Sequence, residues 1–257
     1  MTGTLTGIFR YPVKGLSPDP MERATVAAGG ALPYDRAWAI ENGPSRFNPA
    51  DPQPVPDISF LILMRDERLA TLETRFEEET QRLVLSRSGR QVASGALSSP
   101  SGRQLIEQFF AAYMADRLRG RPKIVGGPEH YIAEGGIPCV HIINLATLRE
   151  VERLLGRPLD PIRFRPNLVI DGFPPWSEFT WLNEEISIGP VRLKVVERTA
   201  RCAAPNVDPK TGQRDMDIPA TLKREYGHID FGVYALIETA GTLARGDPVI
   251  APQKAAD

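Results

Sequence analysis

The feature that most constrains this fold is the frequency of proline and glycine. The 257 residues include 24 prolines and 22 glycines, and both residue types interrupt regular elements, because proline lacks an amide donor and glycine is costly to order. The apolar runs between them are short, as in GIFRYPV (7–13), FLILMR (60–65) and RLVLSR (82–87). Short apolar runs bounded by turn residues predict many strands rather than long helices.

Three stretches have helical character instead. Residues 99–118 open with a serine and a proline, the residue types that favour a helix start, and then place apolar residues on one face. A second helix is predicted from about Leu145 to Leu155 with Asn144 as its N-cap, and a short third helix around 219–226. These helices separate groups of strands, so they add helical packing to a protein that is mainly β.

The later strands are predicted at NLVIDG (167–172), VRLKVVER (191–198), GVYALIE (232–238) and GDPVIA (246–251). Their order lacks the regular strand–helix alternation of a doubly wound sheet. We therefore predict a β-rich α+β protein with barrel-like sheets and packed helices. A boundary near residue 95 divides the chain into 1–95 and 96–257, because the sequence around it is small, polar and turn-rich.

Charge and cysteine content narrow the function. Lys plus Arg is 31 and Asp plus Glu is 32, so we expect no wholesale binding to nucleic acid or to an anionic membrane surface. No apolar run approaches the roughly 20 residues of a membrane span, and the first residues do not have the pattern of a secretory signal. Two cysteines are too few for a disulfide framework. These features predict a cytoplasmic protein.

The proline-rich stretch NGPSRFNPADPQPVPD (42–57) is long for a connector, which indicates a lid or a binding loop. In the sequence this stretch follows the basic motifs YPVKG and YDRAW and precedes RFRPN.

The basic motifs are candidate anion sites. Lys14 follows a predicted strand in YPVKG, and Arg36 precedes an apolar run in YDRAW. Two such cations can clamp a phosphate, but from spacing alone two solvated surface charges are the favoured alternative. In RFRPN, Arg165 and Asn167 offer an edge for an anion or a polar ring, and a solvated basic strand is an equal alternative.

The remaining candidate functional residues are the two cysteines and one helix N-cap residue. A free cysteine is more often a small buried hydrophobe than a reactive group, yet Arg198 and Arg201 beside Cys202 favour its thiolate. Spacing leaves Cys202 undecided. Cys139 enters an apolar run and is predicted to be core. Asn144 is a helix cap, and the same helix end could also receive an anion, the cap alone being favoured.

Together these motifs resemble one family. YPVKG, YDRAW, RFRPNLVIDG, VRLKVVERTARCAAPNVDPKTG and GVYALIETAGTLARGDPV are similar, in order and separation, to the molybdenum-cofactor sulfurase C-terminal (MOSC) domain with its amino-terminal β-barrel partner. The resemblance covers about Gly7 to Val249. It implies a MOSC β-barrel-like domain with packed helices, preceded by a smaller β-barrel-like domain, and it points to the amidoxime-reducing components and their bacterial counterparts.

The resemblance implies a role for each matching position. Cys202 matches the family's protein ligand to molybdenum, Lys14 and Arg36 match the residues that hold the pterin phosphate, and Arg165 and Asn167 line the same site. Further positions predicted on the cofactor are Gly15 (where relatives usually have serine), Asn144, Thr147, Thr199 and Arg201.

The resemblance also implies an activity. It predicts a molybdenum-cofactor-dependent oxidoreductase that reduces a small N-hydroxylated substrate and takes electrons from a separate flavin or iron–sulfur protein. One alternative is a sulfur carrier or sulfurtransferase with a persulfide on Cys202, because MOSC domains also occur fused to pyridoxal-phosphate-dependent sulfurases. Another is a non-catalytic carrier of the molybdenum cofactor. The sequence leaves open the nucleotide form of the pterin, the substrate and the electron donor.

Overall fold

The computed structural model describes residues 1–43, 47–51, 53–133 and 136–252. These residues form fifteen β-strands and three α-helices. In chain order the strands are β1 (Thr2–Arg10), β2 (Asp19–Met21), β3 (Arg23–Val26), β4 (Trp38–Glu41), β5 (Glu73–Glu77), β6 (Arg82–Arg87), β7 (Arg90–Ala96), β8 (Lys123–Gly126), β9 (Val140–Asn144), β10 (Leu168–Asp171), β11 (Glu185–Ile188), β12 (Val191–Ala200), β13 (Asp230–Ile237), β14 (Gly241–Ala244) and β15 (Pro248–Ile250). The helices are α1 (Pro100–Tyr113), α2 (Leu145–Leu155) and α3 (Ile218–Tyr226). Within these ranges no helix has both the length and the apolar character that a membrane crossing requires.

Seven strands close a barrel in the order β1, β10, β9, β13, β12, β11, β15. Neighbouring strands are antiparallel except β9 and β10, which are parallel and are joined through α2, since a parallel pair needs a crossover connection. The first strand of the chain pairs with both β10 and β15 and so completes a barrel whose other strands all come from the second half of the chain. The predicted β-rich α+β class with a barrel and packed helices is confirmed, while the boundary near residue 95 stays a prediction.

Three smaller sheets are built mainly from strands of the first half of the chain. β4 pairs with β8, β5 to β7 form a three-stranded sheet, and β3 pairs with β14. α1 packs against this region with Ile106 and Phe110, which lie four residues apart on one helix face and are fully buried beside Trp38. Each such burial is worth about 1.5–3 kcal/mol, so this face fixes the helix on the sheet. Ser99 caps α1 as predicted, accepting a hydrogen bond from the amide of Gly102.

Three predicted elements differ clearly from the structure. The first strand runs over Thr2–Arg10 rather than over 7–13. FLILMR is not a regular strand: Phe60 makes a single bridge with Glu41, and the chain then turns because the Asp66 carboxylate accepts a hydrogen bond from the Ile62 amide. The first helix ends at Tyr113 rather than near residue 118, since the chain tightens into a turn in which the carbonyl of buried Met114 accepts from two later amides. The predicted bounds of α2 are confirmed.

Four connecting segments meet beside the barrel. They follow β1 (residues 11–15), precede β4 (34–37), precede β10 (163–167) and follow β12 (201–204). The first two segments are tied together, because the Lys14 amide donates to the Trp38 carbonyl and Val13 forms a bridge with Trp38. The closed barrel therefore brings together basic motifs that lie far apart in the sequence.

Candidate functional site

The four segments line a cavity of about 670 Å³. Six of the ten positions predicted to bind the cofactor contribute to its wall: Lys14, Gly15, Arg36, Arg165, Arg201 and Cys202. Its volume is within the range typical of pockets for small molecules and cofactors, about 300–1,000 Å³. The structure thus gathers the residues that the separate motifs supply.

Lys14 and Gly15 occupy the turn after β1. The Lys14 ammonium is buried and lies 2.5 Å from the carboxylate of Asp57, which also lines the cavity. Gly15 has a φ of 85°, and a Cβ at this position would lie 2.4 Å from the carbonyl oxygen of Leu61. Glycine is therefore required by the backbone here. Asp57 belongs to the stretch predicted as a lid or binding loop, of which residues 44–46 and 52 lie outside the described residues.

Arg36 and Arg165 flank one buried aromatic ring. Both have left-handed backbone conformations with a φ of 52°, which is rare for residues other than glycine and is concentrated at functional sites. Their guanidinium groups lie 5.0 and 4.1 Å from the ring centroid of Tyr11. Arg36 also donates to the Asp35 carboxylate, and Arg165 donates to the Leu16 carbonyl at 2.7 Å. These contacts hold two cations at the same wall.

Asn167 supports this wall from behind and does not line the cavity. Its side chain is buried, and its Oδ1 accepts hydrogen bonds from the His141 amide at 3.1 Å and from Arg36 at 3.3 Å. Its Nδ2 donates to the Phe9 carbonyl at 3.1 Å. The amide therefore links β1 and β9 and orients the guanidinium of Arg36.

Cys202 follows β12, and its thiol is free and exposed in the cavity. It is therefore not a packed core cysteine. The neighbouring Arg201 is buried and donates through Nη2 to the Phe164 carbonyl at 2.9 Å. Thr199 lies near the end of β12, and its side chain is buried and does not line the cavity. In the described ranges no group of three or more His, Cys, Asp and Glu side chains is placed to hold a metal ion.

The charged side chains of this wall are mainly positive. Burial would lower the pKa of Arg36, but the adjacent Asp35 raises it above its ordinary value. Burial lowers the pKa of Arg165 to about 10, so its guanidinium stays protonated at neutral pH. Burial also lowers the pKa of Arg201. With Lys14, four cations surround one cavity, and partly desolvated like charges are stabilised by an anion placed among them.

The sequence reasoning missed another part of the wall. Cys139, predicted to be core, is half-buried and lines the cavity, with the Tyr131 hydroxyl 3.6 Å from its sulfur. Burial raises the pKa of this thiol, which makes it less reactive than an exposed one. Glu197 and Tyr234 also line the cavity. No motif in the sequence marks these positions, because they meet only when the barrel closes.

Asn144 and Thr147 lie together but away from the cavity wall. Both are fully buried at the start of α2, where Asn144 caps the helix through the Ala146 amide at 3.1 Å. The Thr147 hydroxyl donates to the carboxylate of buried Glu178 at 2.7 Å, and Asn144 donates to the same carboxylate at 3.1 Å. The Trp176 amide donates to Thr147 at 2.9 Å. The structure thus places both residues in a capping network, and their predicted contact with the cofactor stays a prediction.

Comparisons with known proteins agree with this arrangement. The MOSC domain family model matches residues 135–250, and the MOSC N-terminal beta barrel domain model matches residues 2–116. Mitochondrial amidoxime reducing component 2 of Rattus norvegicus is 34% identical, over 96% of this chain and 82% of that protein. Mitochondrial amidoxime-reducing component 1 of Homo sapiens is 25% identical over the same shares. Molybdenum cofactor sulfurase of Bos taurus is 24% identical over 90% of this chain but only 30% of that protein.

Proposed function

Since the chain belongs to the MOSC family and has a molybdenum-cofactor-associated function, we propose that its cavity binds the molybdenum cofactor and that the protein reduces small N-hydroxylated compounds. One observation carries the proposal. An exposed cysteine thiol and four basic side chains, from segments far apart in the sequence, line a single cavity. The names of the amidoxime-reducing relatives supply the reaction class.

The side chains present fit such a cofactor. A thiolate is a soft ligand suited to a heavy transition metal, and lysine and arginine suit a phosphate, which arginine binds with two parallel hydrogen bonds. One buried polar atom of a lining residue, Nε of Arg201, has no hydrogen-bond partner within the described ranges. Buried polar groups are normally satisfied, so this atom favours a polar group bound at this wall.

In this proposal each of the site residues has a defined binding or positioning role. Cys202 is the protein ligand to the metal, and Lys14, Arg36 and Arg165 hold the phosphate. Arg201 adds positive charge to the wall beside Cys202. Asn167 keeps Arg36 in place from behind. The glycine at position 15 lets the Lys14 backbone turn against residue 61.

When bound, the cofactor supplies two-electron redox chemistry, and the protein contributes binding, orientation and access. Reduction of an N-hydroxylated compound breaks its N–O bond and releases the oxygen as water, which consumes two electrons and two protons. The electrons come from a separate flavin or iron–sulfur protein in this proposal. The Tyr131 and Tyr234 side chains line the same cavity, in which the substrate binds in this proposal.

A second candidate function is sulfur transfer. The exposure of the Cys202 thiol favours it, because a persulfide carrier must present its sulfur to another protein or cofactor. The match to molybdenum cofactor sulfurase also favours it. A third is a carrier that binds the cofactor without turnover.

One experiment separates these functions. The protein is expressed in a host that makes molybdenum cofactor, and its metal content, its extractable pterin, its intact mass and its reduction of benzamidoxime by a chemical reductant are measured. Molybdenum, pterin and turnover together support the reductase. An intact mass with one added sulfur on Cys202, in protein without pterin, supports sulfur transfer. Bound cofactor without turnover supports a non-catalytic carrier of the molybdenum cofactor. Protein without molybdenum or pterin from such a host contradicts the cofactor proposal.

A further inference from the structure

An irregularity in β12 gives the cavity an acidic side chain. β12 pairs with β13, and their register shifts between Val195 and Glu197, which marks a β-bulge or similar irregularity. In a regular strand successive side chains point to opposite faces, yet Val196 and Glu197 both line the cavity. Bulges next to functional sites commonly re-aim a side chain. The strand thus departs from its pairing at the point where it presents Glu197.

Glu197 differs from the other charged groups of the wall. Among the described residues two acidic side chains line the cavity, and one of them, Asp57, pairs with Lys14. In the described part of the chain Glu197 makes no ion pair, and its side chain is exposed. Glu197 lines the same cavity as Cys139 and Tyr234, and it pairs with Tyr234 across β12 and β13. A carboxylate remains available there after the basic wall has taken an anion.

The surroundings of Glu197 suit an organic substrate with a polar end. The rest of the lining includes apolar side chains, among them Ile62, Met64 and Leu236. An apolar body can bury surface against them at about 25 cal/mol per Å². A carboxylate accepts hydrogen bonds and cannot donate them, so it selects a ligand whose polar end carries N–H donors or a positive charge.

We propose that Glu197 makes the cavity selective for N-hydroxylated bases, namely amidoximes and N-hydroxyguanidines, over hydroxamic acids. This inference rests on the proposed function. An amidoxime carries an amino group on the carbon next to the N–OH group, and this amino group donates to the Glu197 carboxylate. A hydroxamic acid carries a carbonyl oxygen at the same position, and two acceptors then face each other. A site built to bond a donor rejects the analogue that lacks it more strongly than an apolar pocket rejects a change of size.

The test uses the cofactor-loaded protein and two substrates with the same phenyl group, benzamidoxime and benzhydroxamic acid, which carry an amino group and a carbonyl oxygen, respectively, on the carbon next to the N–OH group. The wild type is compared with Glu197→Gln and with Glu184→Gln, which alters an exposed glutamate outside the cavity wall. We expect Glu197→Gln to lower the ratio of kcat/KM for benzamidoxime to kcat/KM for benzhydroxamic acid by about tenfold, because a hydrogen bond to a charged group is lost. Glu184→Gln should leave the ratio unchanged. Equal molybdenum contents and unfolding midpoints show that the variants are intact.

A binding measurement without turnover completes the test. Benzamidine is a stable cation with the same amino group, and acetophenone is a neutral compound of similar size that has no N–H donor. By calorimetry, benzamidine should bind the loaded wild-type protein about tenfold more tightly than it binds Glu197→Gln, whereas acetophenone should show no such difference. If the wild type turns over neither substrate, the proposed function fails, and benzamidine binding alone decides the role of Glu197. An unchanged substrate ratio and unchanged benzamidine binding in an active Glu197→Gln variant would overturn this inference and leave the reductase proposal standing.

Discussion

The guanidinium of Arg165 lies over the ring of Tyr11, 4.1 Å from its centroid, and the ring also carries the guanidinium of Arg36 at 5.0 Å. Tyr11 is fully buried, so these cation–π contacts form in a poorly solvated place, where each can be worth about 2 kcal/mol. One ring from the first strand's end thus holds two basic residues from separate motifs. The candidate phosphate site depends on this arrangement.

Substitutions of Tyr11 test whether the ring or the hydroxyl holds the wall. Tyr11→Phe keeps the ring and removes a hydroxyl that has no hydrogen-bond partner within the described ranges, so we expect the free energy of unfolding to stay equal or to rise by about 1 kcal/mol. Tyr11→Ala should lower it by about 3–5 kcal/mol, as large aromatic deletions from a core do. Urea denaturation of the cofactor-free protein measures both. Equal losses in the two variants would show that the hydroxyl makes an essential contact.

Asp57 competes with an anion for Lys14. The ion pair between them occupies the ammonium that the proposal assigns to the phosphate. Asp57→Asn should therefore slow the loss of molybdenum during dialysis, because the amide competes less strongly for the cation. Asp51→Asn is the control, since Asp51 lies on the same stretch and is exposed outside the cavity wall. Faster loss from Asp57→Asn than from the control would mean that Asp57 helps to retain the cofactor.

Thr147→Val separates a structural role from a role on the cofactor. The Thr147 hydroxyl donates to Glu178 and accepts from the Trp176 amide, and valine removes both hydrogen bonds while Glu178 keeps the one from Asn144. We expect a loss of about 1–3 kcal/mol in the free energy of unfolding with an unchanged ratio of molybdenum to protein. Urea denaturation and metal analysis report the two quantities. A fall in metal content at unchanged stability would instead support the cofactor contact that the family resemblance implies.

The buried carboxyl of Glu178 predicts a pH dependence. Burial raises its pKa above the usual 4.5, although hydrogen bonds from Thr147 and Asn144 act against this. Because the folded state binds this proton more tightly than the unfolded state, the residue favours folding most below pH 4.5 and loses that contribution as the pH rises through the raised pKa. The unfolding free energy of the wild type minus that of Glu178→Gln should therefore increase as the pH falls from 7 towards 4.5. A flat or opposite trend in urea titrations would contradict the raised pKa.

The sequence predicts the cationic and thiol groups of the site because they lie in motifs with a definite order. Lys14, Arg36, Arg165 and Cys202 are found by that order, and the structure places them on one cavity. Thr199 and Asn167 come from the same motifs but are buried outside the cavity wall, because the left-handed backbone at Arg165 and the end of β12 at Ala200 interrupt the strand alternation that would otherwise place them beside the lining residues. A motif thus indicates which segments meet, and the backbone decides which side chains reach the cavity.

The remaining features depend on tertiary structure. Cys139 and Glu197 reach the cavity through barrel closure and a local shift in strand register, and neither leaves a periodic signal in the sequence. FLILMR has the composition of a strand, but the side chain of Asp66 captures the Ile62 amide and turns the chain. Side-chain hydrogen bonds to the backbone compete with sheet pairing in this way, and composition alone does not reveal which of the two forms.

The most direct test of the central claim is molybdenum X-ray absorption on wild type, Cys202→Ser and Cys139→Ser, each purified from a cofactor-producing host. Both cysteines line the cavity, so Cys139→Ser is a matched control for the loss of one thiol. We expect molybdenum to have the same number of sulfur neighbours in wild type and in Cys139→Ser, and one fewer in any molybdenum that Cys202→Ser retains. An unchanged number of sulfur neighbours with full metal content in Cys202→Ser would contradict the assignment of Cys202 as the protein ligand.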